Sequence, residues 1–207
     1  MDNSLEKITE NTKIWTPDLD VTLPIDGRDI HGFIKWVNWN GYSKENDHQG
    51  FDFAAYLAQD GSCILGLPKE TPVRAVADGV VSSIGRPDLY GYFRNITIRH
   101  SRLIGGLESR YFHIVPSVEI GRPVKKGNII ATLYEDERDY SGKGKRLVHL
   151  HIELISRASQ YTDPAFIFHE LNDLVAEPQC SKNFRILQDN QQPTIRLANP
   201  ENRWFSN

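Results

Sequence analysis

The sequence of 207 residues is poor in features that would assign it to several classes of protein. Its two cysteines, Cys63 and Cys180, lie far apart and fit no metal-binding or redox spacing. Their separation favours two unpaired structural thiols, with a single long-range disulfide as the alternative. Basic residues number 24 against 27 acidic ones, for a net charge of −3. This balance argues against nucleic-acid partners and anionic membranes, which require a basic field.

Long apolar runs are missing as well. No run approaches the roughly 18 residues of a membrane helix, so we expect no membrane span. The N-terminal stretch MDNSLEKITENTKIW has neither a basic region nor an apolar one, and so shows no signal peptide. Two interpretations stay open, a cytoplasmic protein and an exported one whose leader is not in this chain.

The distribution of short apolar runs predicts a mainly β protein. From residue 21 to 156 such runs alternate with Gly, Pro, Asp or Asn at spacings of roughly 8 to 12 residues, which is typical of an antiparallel sandwich or barrel-like domain. We therefore expect a polar N-terminal segment (1–20), a β-domain (21–156) and a C-terminal extension (157–207). One short helix is predicted in the extension from Pro164 to Leu174, with Asp163 as its N-cap.

The segment RLVHLHIEL, residues 146–154, places two histidines in a strand-like pattern. His149 and His151 are two positions apart and therefore share one strand face. Three apolar residues face the other way: Val148, Leu150 and Ile152. Two adjacent imidazoles on an inward face are costly to desolvate unless their nitrogens are satisfied. A metal ion would satisfy them, and a surface location would remove the cost.

A second polar cluster lies in the segment DHQGFDFAA. His48 and Asp52 stand four positions apart around Gly50, which lets the backbone turn between them. If residues 51–57 form one strand, Asp52 alternates with buried aromatic neighbours. A third candidate, His113, alternates with apolar residues in SRYFHIVPS. For any one histidine alone, a core residue bonded to a backbone carbonyl is the alternative interpretation.

Taken together, the three segments form an ordered set of polar groups in one predicted domain. Zinc accepts neutral imidazole and carboxylate, and catalytic zinc sites keep three protein ligands and an open position. Five polar groups exceed that number, and the two extra groups suit proton transfer and oxyanion stabilisation. The helical HExxH motif of the common zinc proteases is absent.

The order of these motifs resembles the lysostaphin/LytM-type zinc metalloendopeptidases, which cleave peptidoglycan. The H-x-x-x-D motif of that family matches His48 to Asp52, its middle Tyr-x-His motif matches Tyr111 to His113, and its H-x-H motif matches 149–151. Supporting segments match as well: TPVRAVADGVV, NITIRHSR and EIGRPVKKGNIIATL. The resemblance covers residues 45–156.

The resemblance implies a ligand set and a mechanism. His48, Asp52 and His151 would hold a zinc ion (Zn2+). His149 would be the general base on the metal-bound water, and His113 would orient that water or stabilise the tetrahedral oxyanion. The implied fold is an antiparallel β-domain of the duplicated hybrid motif type, with a groove open at both ends.

The resemblance also implies a hydrolase that cuts peptide bonds in peptidoglycan stems or cross-bridges. Such a substrate places the protein outside the cytoplasm, periplasmic or secreted, and we expect a monomer. A non-catalytic relative that binds or activates a cell-wall amidase is one alternative, although such relatives usually lack a ligand and none is missing here. Histidine phosphotransfer on a similar β-fold is another, and it would need neither Asp52 nor a metal.

Some features fall outside the family pattern. The loop YEDERDYSGKGKRLV is charged where the family is rich in Gly, Ser and Thr. If it lines the groove, a charged stem peptide is favoured over a glycine bridge, and a solvated loop is the alternative. Tyr42 could add an oxyanion donor or be a tyrosine in a turn. Three histidines match no motif and are expected to be structural or at the surface: His31, His100 and His169.

Overall fold

The computed structural model describes residues 20–27, 30–34, 49–85, 95–101, 106–134, 148–156, 161–164 and 185–186. Short strands form three sheets in this part of the chain. The strands are β1 (Ile30–Ile34), β2 (Phe51–Phe53), β3 (Ala55–Ala58), β4 (Cys63–Leu65), β5 (Pro72–Arg74), β6 (Gly79–Ile84), β7 (Asn95–Arg99), β8 (Glu108–Phe112), β9 (Ile114–Pro116), β10 (Pro123–Val124), β11 (Ile129–Leu133), β12 (Leu150–Ile155), β13 (Tyr161–Thr162) and β14 (Arg185–Ile186). No helix of the described residues is long and apolar enough to cross a membrane.

The largest sheet has seven strands and carries most of the predicted site. Its order is β10-β6-β7-β8-β12-β13, and β2 also pairs with β12. Strand β12 therefore has β8 on one side, while β2 and β13 share its other side. His151 in β12 lies opposite Asp52 in β2 and opposite Phe112 in β8. Directly opposed residues of antiparallel strands have neighbouring side chains, so this register brings two motifs together that are 99 positions apart.

Alternation along β12 separates a core face from an outer face. Leu150, Ile152 and Leu154 are fully buried. The residues between them, His151 and Glu153, are partly exposed. This is the period-2 pattern predicted from the sequence, and it places the histidine on the face away from the core.

The two smaller sheets have the orders β1-β3-β4-β14 and β5-β11-β9. The pairing of β14 with β4 is parallel, and the other pairings between described strands are antiparallel. The described strands close no barrel. The predicted fold class, mainly antiparallel β, is confirmed.

One predicted strand is divided between two sheets. The single strand expected over residues 51–57 is interrupted at Ala54, so that β2 joins the seven-stranded sheet and β3 joins the four-stranded one. The carbonyl of Ala54 accepts a hydrogen bond from the Gly66 amide at 2.7 Å. Residues 51–56 are all buried. The chain crosses here from one sheet to the other through the core, and the expectation of one strand is wrong.

The cysteine prediction also needs correction. Cys63 is disulfide-bonded, so the expectation of two unpaired thiols is wrong for this residue. The other cysteine of the sequence, Cys180, lies outside the described residues. Strand β14 pairs with β4, the strand that begins at Cys63, so a segment distant in sequence lies beside this cysteine. The predicted helix lies outside the described residues except for Pro164. The division of the chain into three segments stays a prediction.

Candidate active site

The centre of the candidate site is a contact between Asp52 and His151 on the outer face of the seven-stranded sheet. Atom Nδ1 of His151 lies 2.8 Å from Oδ1 of Asp52. The two side chains are 15% and 10% exposed, respectively. A carboxylate and an imidazole this close and this shielded interact more strongly than the same pair in water.

Charge around His151 favours a cation at this point of the sheet. Burial lowers the pKa of His151, but hydrogen bonds and charge interactions with Asp52 and Glu153 outweigh it and raise the pKa to about 9. Two carboxylates therefore stabilise a positive charge on the ring. The same two groups would stabilise a divalent cation beside it.

Two neighbours restrict the position of the His151 ring. Phe112 packs edge-on against it, with ring centroids 5.4 Å apart. Gly50 lies against the ring, because a Cβ at this position would be 2.7 Å from Cε1 and 2.8 Å from Nε2 of His151 and would overlap the carbonyl oxygen of Ile152. The sequence predicted that this glycine allows a turn. The structure adds a second role, because the absence of a side chain at Gly50 leaves room for the His151 ring.

A pair of imidazoles follows closely on the Asp52–His151 contact along the chain, since His149 is two positions before His151 and His113 follows Phe112. The rings of His113 and His149 have centroids 4.4 Å apart and are tilted by 42°. His113 follows β8 directly and has a φ of +61°, in the left-handed region. That conformation costs a residue other than glycine about 1–3 kcal/mol, and strain of this kind is concentrated at functional sites. His149 precedes β12 and is 9% exposed.

The donors present are of the type that zinc prefers. Zinc binds imidazole nitrogen and carboxylate oxygen at about 2.0–2.2 Å, so two tetrahedral ligand atoms are separated by roughly 3.3 Å. Asp52 Oδ1 and His151 Nδ1, at 2.8 Å, need to separate only slightly to share one ion. Within the described residues no group of three or more histidine, cysteine or acidic side chains is arranged to hold a metal. His48, the third implied ligand, lies outside those residues.

Four of the five predicted site residues are therefore described, and they form two pairs, Asp52 with His151 and His113 with His149. Tyr42 and the charged loop, apart from its ends, lie outside the described residues. The sequence interpretation missed Glu153, although the segment RLVHLHIEL places it two positions after His151 and hence on the same face. It also missed Arg110, which pairs with Glu153 because the register of β8 and β12 places the two residues opposite each other.

Comparison with known proteins adds a family assignment. The model of peptidase family M23 matches residues 46–164, which is 119 of the 207 residues. No curated protein matches the chain. The matched segment contains all five predicted site residues.

Three similar solved structures are between 20% and 23% identical to the chain over the aligned parts. A zinc-containing peptidase from Vibrio cholerae is 23% identical over 68% of this chain and 37% of that chain, with a TM-score of 0.43. The catalytic domain of the antimicrobial peptidase lysostaphin from Staphylococcus simulans is 22% identical over 64% of this chain and 85% of that chain, with a TM-score of 0.42. A chain of the SpoIIQ–SpoIIIAH pore-forming complex is 20% identical over 72% of this chain and 90% of that chain, with a TM-score of 0.48.

The chain thus spans little more than a third of the Vibrio cholerae protein. The resemblance to the lysostaphin/LytM type, based on the order of the histidine motifs, is confirmed by the family match. Because that match extends over more than half of the sequence, the protein belongs to peptidase family M23.

Proposed function

We propose that the protein is a zinc-dependent endopeptidase that hydrolyses peptide bonds in peptidoglycan stems or cross-bridges. The observation that carries the proposal is the 2.8 Å contact between Asp52 and His151, with the His113–His149 pair beside it. A carboxylate–imidazole pair supplies metal donors, and a separate imidazole pair is available for proton transfer. This division of groups is what hydrolysis by a metal-activated water requires.

Asp52 and His151, together with His48, would hold the metal. A bound zinc ion would act as a Lewis acid and would lower the pKa of water to about 7. Asp52 and Glu153, the two acids around His151, favour positive charge, so the electrostatic environment of the metal-free protein already suits a bound cation.

His149 and His113 would share the proton chemistry. His149 would take the proton of the attacking water, and His113 would donate a hydrogen bond to the oxyanion that develops on the scissile carbonyl. With ring centroids 4.4 Å apart, both rings can face one small reacting group. The φ of +61° at His113 turns this side chain out of the regular alternation of β8.

One further observation supports an extracytoplasmic location. Cys63 is disulfide-bonded, and disulfides persist mainly in oxidising compartments such as the periplasm or the extracellular medium. We propose a monomer that meets peptidoglycan peptides outside the cytoplasm.

The test is hydrolysis by the purified full chain, measured as new amino termini released from stem and cross-bridge peptides. Zinc is quantified on the same samples. We expect close to one zinc per chain, loss of hydrolysis after chelation and recovery after zinc is returned. A zinc-loaded protein without hydrolysis would favour the non-catalytic partner of an amidase. If the protein binds no zinc and Asp52→Ala leaves its activity unchanged, histidine phosphotransfer is the favoured function instead.

A further inference from the structure

Glu153 is an acidic residue on the outer face of β12 that the proposed chemistry assigns neither to metal binding nor to proton transfer. It lies two positions after His151, and its side chain is 12% exposed. A carboxylate shielded from water to this degree is costly unless charged or hydrogen-bonding groups compensate. Its two neighbours, His151 and Arg110, therefore indicate what it does.

The first neighbour is the imidazole of His151. Oε1 of Glu153 lies 3.5 Å from Nε2, while Asp52 lies 2.8 Å from Nδ1 of the same ring. The ring thus lies between two carboxylates, one at each nitrogen. Because Nδ1 is the nitrogen beside Asp52, it is the one that would bind an ion shared with Asp52, and Nε2 would then keep its hydrogen.

The second neighbour is Arg110, which lies directly opposite Glu153 in the pairing of β8 with β12. Its Nη1 is 3.8 Å from Oε2 of Glu153. Among the described residues Oε2 has no hydrogen-bond partner, so Arg110 is the cation that neutralises it. The guanidinium side chain is 36% exposed, so this ion pair adds little stability.

We propose that Glu153 is a positioning residue for the metal ligand His151. Its carboxylate accepts the hydrogen bond of Nε2–H, and this holds the tautomer in which Nδ1 is the metal-binding nitrogen. Arg110 keeps the carboxylate in place from the neighbouring strand. The inference rests on the proposed function, because it assigns His151 to a zinc ion.

Zinc affinity is the first readout, measured by equilibrium dialysis of the full chain against zinc alone. Glu153→Met keeps the length of the side chain and removes the acceptor oxygens, so we expect affinity to fall by about 10–100-fold. Glu153→Gln retains an acceptor oxygen and should recover affinity to within about tenfold of wild type. Equal affinity in wild type and Glu153→Met would overturn the proposal. Equal losses in both variants would also overturn it, because charge and not a hydrogen bond would then matter.

Glu108→Gln is the matched control. Glu108 lies on the neighbouring strand β8 and pairs with Arg99 at 3.1 Å, so it is a second acid–arginine pair of the same sheet. It does not contact His151, and we expect unchanged zinc affinity. A loss as large as that in Glu153→Met would mean that any acid of this sheet acts on the site, and the specific role of Glu153 would be wrong.

A second readout uses wild-type protein and therefore does not depend on whether a variant folds. Nitrogen-15 NMR of wild-type protein distinguishes the two ring nitrogens of His151, and in the zinc-loaded protein we expect hydrogen on Nε2 and metal on Nδ1. The reverse assignment overturns the role of Glu153 and leaves the peptidase proposal intact. If wild type binds no zinc at all, the proposed function fails, and so does the metal-directed role of Glu153. Protection of the Nε2 hydrogen from exchange then shows whether Glu153 still holds the ring.

Discussion

Two histidines of the seven-stranded sheet lie on opposite faces, and each has a partner at both ring nitrogens. On the core side, His100 is fully buried, with Nδ1 2.9 Å from the carbonyl oxygen of Asp78 and Nε2 2.7 Å from Oγ of Ser109. On the outer side, His151 lies between Asp52 and Glu153. The partners of His100 at these atoms are neutral, whereas those of His151 are carboxylates.

This difference moves the two pKa values in opposite directions. Burial lowers the pKa of His100 below 6.5, against smaller raising effects of Asp78 and Glu108. The pKa of His151 is raised to about 9 despite its burial. A histidine with neutral partners is a neutral structural group, and one with two carboxylates marks a place where a cation is stable. Partner identity, and not burial, therefore separates a structural histidine from a metal-site candidate.

The largest effect is expected from removal of a predicted ligand. Asp52→Ala or His151→Ala should reduce zinc binding and hydrolysis to background, because two remaining ligands cannot hold zinc against dilution. Zinc content after dialysis and the rate of peptide hydrolysis measure the two losses. His100→Gln is the comparison variant and should retain zinc. If His100→Gln loses zinc as His151→Ala does, the two histidines do not differ as inferred.

A large but purely kinetic effect is expected at the imidazole pair of His113 and His149. His113→Ala and His149→Ala should keep zinc and lose activity by about 10²–10⁴-fold, the usual contribution of general acid–base groups. The losses in the double variant should be less than additive, because both rings act on one water and one intermediate. The measurements are kcat/KM and zinc content of each variant. If His149→Ala loses zinc while His151→Ala retains it, the roles of the two histidines are inverted.

A moderate effect is expected at Gly50. A Cβ in Gly50→Ala would lie 2.7–2.8 Å from the ring of His151 and overlap a backbone oxygen, so the ring must shift. We expect zinc affinity to fall by about 10–100-fold, as for other changes that misplace a ligand. Gly27→Ala is the control, since its Cβ would meet the Phe33 ring at 3.0 Å and no histidine. Unchanged zinc affinity in Gly50→Ala would show that the ring can move without loss.

The sequence predicted those features that depend on a local period or on motif order. Alternation in RLVHLHIEL was sufficient to place His151 on the face opposite Leu150 and Ile152, because a strand has a period of two whatever its neighbours. The division at Ala54 was not predictable, because all its neighbours are buried and alternation is lost. Cross-strand register likewise decides whether Glu153 meets Arg110, and no local pattern contains that register.

The different environments of His100 and His151 show the same limit. Both residues stand in or directly after strand-like segments, and the sequence pattern alone does not tell which one has acidic partners. Motif order assigned His151 to the metal and left His100 outside the motif. The partners of His100 come from Asp78 and Ser109, and only the folded sheet brings them together.

The hydrogen bonds behind His100 lead to the last prediction. A carbonyl only accepts, so Nδ1–H donates to Asp78, and Nε2 of the neutral ring accepts from the Ser109 hydroxyl. Ser109 and Tyr111 are joined by a bond of 3.0 Å. Because the Ser109 hydrogen is already used, the Tyr111 hydroxyl donates to Ser109 while accepting from the amide of Val76, also at 3.0 Å. Protonation of Nε2 of His100 would therefore leave this buried series of hydrogen bonds with one donor too many.

Acid should therefore weaken the fold through His100, the smallest of the expected effects. The folded-state pKa lies below the unfolded value of 6.5, so the unfolded chain binds more protons and stability falls as pH decreases below about 6.5. Urea unfolding between pH 8 and pH 5 measures this slope, which should be reduced in His100→Gln. Tyr111→Phe should retain the slope but lose about 1–3 kcal/mol at every pH, because the Val76 amide is left buried without its acceptor. If His100→Gln keeps the full wild-type slope, His100 is not the group that titrates, and its contrast with His151 has no thermodynamic basis.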